Sequence, residues 1–420
     1  MGTARIHVIG LGVGAGMRLS APAEKALKAA HTVIGSNRQL EMAKVYLVDD
    51  GANRRELPKL SELKALIEEL PDGEVVVLAS GDPLYFGIGR WLGQRFEAGR
   101  LRFYPAVSSL QALCHRYGVA LQDCEVVSLH GRPPSDINRV LKRNRNLLVL
   151  TDQHSHPRAL AEACIRAGFA QSRIYIGENI GADGERFRES AVLDVAESDN
   201  FECSDLHVSL LQTRGPGGVL PEFPGIDDHS FATDAASGQG MFTKREVRLA
   251  ILALLQPGNG DVIWDVGAGC GGVATELTHW NPRVSVYAIE QNATRLACLA
   301  QNRERFGCVA NLNIVEGRAP AAFAGLPAAN KVFVGGSDGE LETILAECWQ
   351  GLPRGGLLVA SAVTESSRQR LQSFALASAD AVTELRQLAV SHGQVENTGI
   401  ALTAKLPVTL FRFEKKEAES

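Results

Sequence analysis

The chain lacks any apolar run near the roughly 20 residues that a membrane-crossing helix needs, so no helical span is expected. It lacks paired cysteines as well. The eight, at 114, 124, 164, 203, 270, 298, 308 and 348, are scattered, and none falls in a Cys-x-x-Cys. Such spacing offers neither a zinc clip nor a disulfide framework and reads as reduced thiols of a cytoplasmic protein. His154-Ser155-His156 has a metal-like look but no third ligand nearby, so no metal is expected. There is no surplus of positive charge either. A formal net charge of −5 excludes a global electrostatic case for nucleic acid or an anionic membrane surface. A strand pattern starts at Arg5 with no charged and apolar export segment ahead of it, which predicts no targeting signal.

What is present is length and glycine. A chain of 420 residues with 45% hydrophobic content suits a globular protein of two or three domains. Apolar strand candidates at Ile6–Ile9, Val33–Ile34, Val75–Ala79, Val126–Leu129, Leu147–Leu150 and Arg173–Ile176 alternate with helix-like Ala21–Ala30, Leu60–Leu70 and Pro157–Ala167. That βαβ rhythm predicts a mostly parallel sheet covered by helices, and His207–Gln212 closes this half. From 213 to 238 the sequence is rich in Gly, Pro and small polar residues and loses all apolar period, which reads as a linker. Residues 1–212 and 239–420 are therefore expected as two domains. The second opens with an amphipathic helix over Thr243–Leu255. It continues as strand Val262–Val266, helix Val273–Trp280, strand Val284–Ile289, helix Ala293–Arg305 and strands Leu312–Val315 and Lys331–Val334. Helix Leu341–Trp349 and strand Leu357–Ala360 follow, and the tail Ile400–Phe413 alternates like a closing antiparallel strand pair.

Each half carries a glycine-rich turn after a strand. In the second, Gly267-Ala268-Gly269-Cys270-Gly271 lets a polar ligand approach backbone amides at a helix N-terminus. Glu290 ends the next strand, 21 positions after Gly269, where a carboxylate accepts both hydroxyls of a ribose. This pattern fits a dinucleotide or S-adenosylmethionine, since Gly267-x-Gly269-x-x-Gly272 also satisfies the dinucleotide spacing. Asp265 favours the methyl donor: an acid there orients the ammonium of a methionine moiety and repels a pyrophosphate.

Thr243-Lys244-Arg245-Glu246-Val247-Arg248, Asp265–Gly272, Tyr287-Ala288-Ile289-Glu290, Val315-Glu316-Gly317-Arg318-Ala319-Pro320 and Val334-Gly335-Gly336-Ser337-Asp338-Gly339-Glu340-Leu341 occur in that order. Together they resemble the class I methyltransferases that methylate and decarboxylate a corrin precursor in cobalamin biosynthesis. The resemblance implies that Thr243 and Ala319 line the donor site with the glycine loop and Glu290. Members of that family often have Asp where this chain has Arg318.

The first turn, Gly10-x-Gly12-x-Gly14, fails the dinucleotide spacing. Four strings downstream give it meaning: Gly35-Ser36-Asn37-Arg38, Ser80-Gly81-Asp82-Pro83-Leu84-Tyr85-Phe86-Gly87-Ile88-Gly89, Pro105-Ala106-Val107-Ser108-Ser109-Leu110-Gln111-Ala112 and Ser128-Leu129-His130-Gly131-Arg132, with Gly177-Glu178-Asn179 beyond them. This set resembles the class III tetrapyrrole methylases. That resemblance implies a two-subdomain tetrapyrrole methylase fold, followed here by the Rossmann-like class I methyltransferase fold. It also implies a donor held in a cleft by Gly81, Asp82, Pro83, Ser108 and Ser109. Gly10, Gly12 and Gly14 are counted with that site, but on the macrocycle side.

The two halves together resemble a fused cobalamin-biosynthesis enzyme. The implied reaction uses two molecules of S-adenosylmethionine to methylate meso carbons 5 and 15 of a reduced tetrapyrrole, with loss of CO₂ from the ring-C acetate. The N-terminal unit is expected to act at C-5 and the C-terminal unit at C-15. A substrate with many carboxylates calls for cations, and the candidates are Arg132, Lys244, Arg245 and Arg248, with His130 as a hydrogen-bond or proton donor. A homo-oligomer and contacts with neighbouring pathway enzymes are expected as partners. A nicotinamide-dependent reductase and a non-catalytic tetrapyrrole carrier are the competing readings. Asp265 and the failed first spacing oppose the reductase, and two donor sites oppose the carrier.

Overall fold

The computed structural model describes residues 4–13, 18–47, 52–151, 155–218, 220–236, 238–396 and 399–417. Two compact units form, one of residues 1–131, 143–165 and 169–215, the other of 132–142, 166–168 and 216–420.

The first unit holds two five-stranded sheets. One runs Asn53–Glu56, Thr32–Gly35, Glu74–Ala79, Arg5–Gly10, Leu101–Tyr104 across its width, and every pairing is parallel. Its central strands are apolar on both faces (Ile6, Val8, Ile9, Val75, Val76 and Val77 are fully buried), as helices on both sides require. The other sheet is ordered Cys124–Ser128, Asn146–Leu150, His207–Gln212, Arg173–Glu178, Arg186–Ala191. Only its first pairing is parallel, which corrects the expectation of a mostly parallel sheet there. The short turn after Glu178 forces a hairpin, because a parallel return needs a long crossover, and His207–Gln212 then inserts antiparallel to both neighbours.

In the second unit a seven-stranded sheet is ordered Leu312–Glu316, Ser285–Glu290, Val262–Val266, Lys331–Val334, Leu357–Ala362, Val408–Lys415, Ala381–Leu388. The first five strands are parallel, and Val408–Lys415 is antiparallel to both its neighbours. The tail therefore splits. Val408–Lys415 enters the main sheet between Leu357–Ala362 and Ala381–Leu388, whereas Gly399–Ala404 pairs with Ser391–Glu396 in a separate hairpin.

The expected linker is corrected from Pro216 onward, which belongs to the second unit. Ile226 and Phe231 are buried in its core beside Ile251 and Phe306, and Asn302 exchanges hydrogen bonds with both the N–H and the C=O of Ala232. Ile226 and Phe231, irregularly spaced among Gly, Pro and small polar residues, leave no periodic signal, yet each fills a core position. The segment 132–142 also lies in this unit, where Arg139 donates to Asn311 at 2.7 Å.

Candidate active site

In the second unit the strand Val262–Val266 delivers the chain to Gly267, Gly269 and Gly271, with φ of +70°, +59° and +83°. That left-handed region disfavours any side chain. A Cβ on Gly267 would stand 2.5 Å from the carbonyl oxygen of Gly336, and one on Gly269 would meet the carbonyl of Met241. The loop is thus clamped between two backbone segments, which explains the glycines without reference to any ligand.

Two acids brace it. Asp265 is buried and its Oδ2 accepts from the Ala274 N–H at 3.0 Å, so it caps helix Gly272–Trp280 from the neighbouring strand. Burial pushes its carboxyl up to about 7, the Ala274 N–H opposing and nearby Glu290 adding to the rise. Glu290 accepts from Gly269 N–H at 2.9 Å through Oε2, and from Gln291 and Asn292 N–H at 3.0 and 2.9 Å through Oε1. Above them is a cavity of about 760 Å³. Thr243, Asp265, Gly267, Ala268, Gly269, Glu290 and Ala319 all line it, together with Lys244. Cys270 and Gly271 do not line it; Cys270 is buried behind the loop, its N–H donating to Met241. The spacing of the glycines could not separate residues facing the cavity from those facing the core.

The expected cations divide. Lys244 donates to the carbonyl of Gly238 at 2.7 Å and lies over the Phe242 ring, and burial lowers its pKa, with Arg248 and Lys405 adding and Asp228 opposing. Arg248, expected to meet substrate, is fully buried instead. It donates to Asp228 at 2.6 Å, Glu276 at 3.4 Å, Thr243 O at 2.7 Å and Ile226 O. A guanidinium can satisfy four partners at once, and here it ties its helix to segment 226–228. Arg245 is paired with Asp227 and Glu246 away from the cavity. Helical sequence does not reveal which basic residue points inward, since that depends on where the acids arrive. Sequence reading did not single out the lining residues Met241, Phe242, Val363, Val408 and Gln291, and Asp338 stood only within the Val334–Leu341 string.

In the first unit a smaller cavity of about 290 Å³ is lined by Gly81, Asp82, Ser108 and Ser109, with Val13, Gln39, Tyr85, Phe86 and Leu150. Ser108 caps helix Ser109–Tyr117, its Oγ accepting from Gln111 N–H while the Gln111 side chain accepts from Ser108 N–H. Asp82 Oδ1 accepts from Leu84 and Tyr85 N–H at 2.8 and 3.1 Å, so its carboxylate shapes the turn. A Cβ on Gly10 would strike the Gly81 carbonyl, and one on Gly81 would lie 2.9 Å from Ser108 Cα. Three loops therefore pack backbone to backbone. Gly10, Gly12 and Pro83 stand outside the cavity lining, Gly10 as packing and Pro83 as the acceptor for Gly89 N–H. Gly14 and His154 lie outside the described residues. His130 and Arg132 are exposed on the turn after Cys124–Ser128 and line neither cavity. Among the described residues no cluster of His, Cys, Asp or Glu is arranged to hold a metal, and no helix is long and apolar enough to cross a membrane.

A glycine loop, a strand-end acid and a buried acid over parallel strand ends, joined to a two-sheet unit with its own glycine-lined cavity, define a pair of α/β group-transfer folds. Residues 5–196 match the family described as Tetrapyrrole (Corrin/Porphyrin) Methylases, and 234–415 match the Precorrin methyltransferase domain. A Sinorhizobium protein named precorrin-6Y C(5,15)-methyltransferase [decarboxylating] is 36% identical over 86% of this chain and 84% of its own. Shorter relatives match too. A Salmonella typhimurium protein named cobalt-precorrin-7 C(5)-methyltransferase is 33% identical over 43% of this chain and 88% of its own. A Methanothermobacter thermautotrophicus protein, named as a probable cobalt-precorrin-6B C(15)-methyltransferase (decarboxylating), is 33% identical over 40% and 86%. The chain belongs to the precorrin-6Y C(5,15)-methyltransferase [decarboxylating] family.

Proposed function

We propose that this chain is an S-adenosylmethionine-dependent C-methyltransferase of cobalamin biosynthesis. It methylates precorrin-6B (6Y) at C-5 and C-15 and removes the ring-C acetate carboxyl, giving precorrin-8X. Membership of the family supports the reaction. The observation that carries the donor assignment is the Gly269–Glu290–Asp265 arrangement under the larger cavity. Its residues fit such a donor: bare glycine backbone, a strand-end carboxylate for a ribose, and a buried acid suited to an ammonium but not to a pyrophosphate.

Bound S-adenosylmethionine supplies an electrophilic sulfonium methyl. The protein's task is then alignment and exclusion of water. Met241, Phe242, Val363 and Val408 give the cavity apolar walls beside the glycine loop, and Lys244 stands among them to receive a substrate carboxylate. The nucleophile is an electron-rich, enamine-like carbon of the substrate itself, so no nucleophilic side chain is needed; the electron pair released on decarboxylation is taken up by the conjugated macrocycle, which then gains a proton. Residues 1–212 are assigned the C-5 step with a donor at Gly81, Asp82, Ser108 and Ser109. Residues 239–420 are assigned the C-15 step and decarboxylation, which makes two donor sites per chain.

The test is calorimetric titration of S-adenosylhomocysteine into the intact protein and a Gly269→Arg variant. Two sites falling to one support the reading, and a single site in the intact protein removes the two-step assignment. NADPH binding in place of S-adenosylhomocysteine would favour the reductase. Because two single-activity relatives are named for cobalt-precorrins, a cobalt-holding substrate is the second reading, decided by turnover of the two substrates side by side. We also propose a homo-oligomer built through the C-terminal hairpin, whose Val395, Ile400 and Leu402 are 86%, 74% and 73% exposed. Light scattering of an Ile400→Lys, Leu402→Lys variant should show a smaller particle; an unchanged mass would reject this interface.

A further inference from the structure

The carboxyl ends of strands Val262–Val266, Ser285–Glu290 and Leu312–Glu316 stand side by side beneath the larger cavity. Ligands of open α/β sheets lie outside such ends. With the methionine portion over the glycine loop and the ribose at Glu290, the base falls beyond Glu290, toward the end of Leu312–Glu316. Ile289, in the strand that ends at Glu290, and Ala319, just past Leu312–Glu316, are buried apolar residues of the cavity lining. Three polar side chains line the same part: Gln291, Arg318 and Asp338.

These three are joined. Gln291 Nε2 donates to Asp338 Oδ2 at 2.8 Å, while Arg318 Nη2 donates to the Asp338 carbonyl at 3.1 Å and lies 3.7 Å from Oδ2. Asp338 takes φ +46°, a left-handed conformation uncommon for a residue with a side chain, although Asp and Asn tolerate it best. Its exposed carboxylate thus meets Gln291 and Arg318 at the cavity wall, Arg318 also pairing with Glu340 at 3.5 Å.

We propose that Asp338 is the specificity residue that accepts a hydrogen bond from the 6-amino group of the donor's purine, with Arg318 and Gln291 as positioning residues. The inference rests on the donor reading of this cavity. An exocyclic amine offers only hydrogens and needs an acceptor. Arg318 has none, Gln291 turns its Nε2 to Asp338 and keeps only a neutral amide oxygen, a weaker acceptor than a carboxylate, Asp265 lies beneath the glycine loop as a helix cap, and Glu290 is the acid assigned to the ribose. Asp338 is the cavity carboxylate left on the base side. A 6-oxo purine would place an oxygen against it, so the site favours the amino base over its oxo analogue.

The experiment titrates full-length wild type, Asp338→Asn and Arg318→Met with S-adenosylhomocysteine and with S-inosylhomocysteine, its 6-oxo analogue. The second-unit site is identified as the one that Gly269→Arg removes. Wild type should bind the adenosyl ligand there roughly tenfold to a hundredfold more tightly than the inosyl one. Asp338→Asn, whose amide keeps the backbone conformation, should collapse that ratio toward one while retaining inosyl affinity, and Arg318→Met should lower the ratio partway. An unchanged ratio in Asp338→Asn, or equal loss of both ligands, overturns the inference and leaves the donor reading standing. Wild type with no Gly269-dependent binding of either ligand overturns both.

Discussion

The Gly269 amide donates to Glu290 Oε2 at 2.9 Å, so the glycine loop and the strand-end acid form one hydrogen-bonded unit rather than two independent sequence features. The strand-end acid itself sets the shape of the loop. Changes to either should act on the other.

Gly267 is crowded by backbone alone, with the O, Cα and N of Gly336 all close to where its Cβ would stand. Its Cβ would sit 2.5 Å from Gly336 O at φ +70°, so Gly267→Ala adds both a steric clash and left-handed strain. Loss of roughly 2 kcal/mol or more of stability is expected. Urea unfolding should show it, together with loss of S-adenosylhomocysteine binding at one site only. Wild-type stability in this variant would mean that the loop yields easily.

The buried carboxyl of Asp265 sits at about 7, above its ordinary value. Protonation is therefore favoured in the native state, and this group's contribution to stability falls as pH rises from about 4 to about 7. A ligand ammonium needs the ionised form. Affinity at this site should accordingly rise as pH is raised through 7 and then level off, with a proton released on binding. Calorimetry in buffers of different ionisation enthalpy reads that proton. Asp265→Asn should remove the pH dependence; a flat wild-type profile would show that Asp265 does not meet the ammonium.

Arg248 and Lys244 should separate cleanly. Arg248→Met leaves Glu276 and Asp228 without their cation, and roughly 3–5 kcal/mol of stability should be lost. Lys244→Met should leave the melting temperature near wild type and raise KM for the polycarboxylate substrate about tenfold or more. Thermal unfolding and steady-state kinetics on both variants decide it. A stable Arg248→Met protein with raised KM would restore Arg248 as a substrate contact.

In the first unit, burial of Glu178 works against ionisation, but hydrogen bonds from Arg186 and the Ser204 N–H, with Arg188 beside it, hold the carboxyl down at about 2. A depressed carboxylate stabilises the fold above its unfolded value and loses that contribution as pH falls from about 4.5 toward 2. Acid titration of the full chain should show a cooperative loss of first-unit structure in that window. Glu178→Gln should already be destabilised at pH 7, with its acid transition blunted.

The strands Ile6–Ile9, Val75–Ala79, Val262–Val266 and Lys331–Val334 were legible because short, mostly apolar runs rich in β-branched residues have few other fates than a sheet covered on both faces. The glycine turns were legible because local backbone geometry demands glycine there. Asn53–Glu56, by contrast, is an exposed edge strand of polar residues, and no apolar pattern announces it. Sequence likewise could not order His207–Gln212 between two antiparallel neighbours, since strand order is set by connections and packing, not by the strand itself.

At the site, sequence placed Gly267, Gly269, Asp265 and Glu290 at the cavity, because that position follows from spacing along one strand–loop–helix and its neighbour. Tertiary structure alone decided that Arg248 is buried on Asp228 and Glu276, that Cys270 faces the core, and that Asp338 stands with Arg318 and Gln291 at the cavity wall. Those facts depend on residues 20 to 47 positions apart meeting in space. A charged side chain takes its role from the partner that arrives beside it, and one-dimensional spacing carries no record of that arrival.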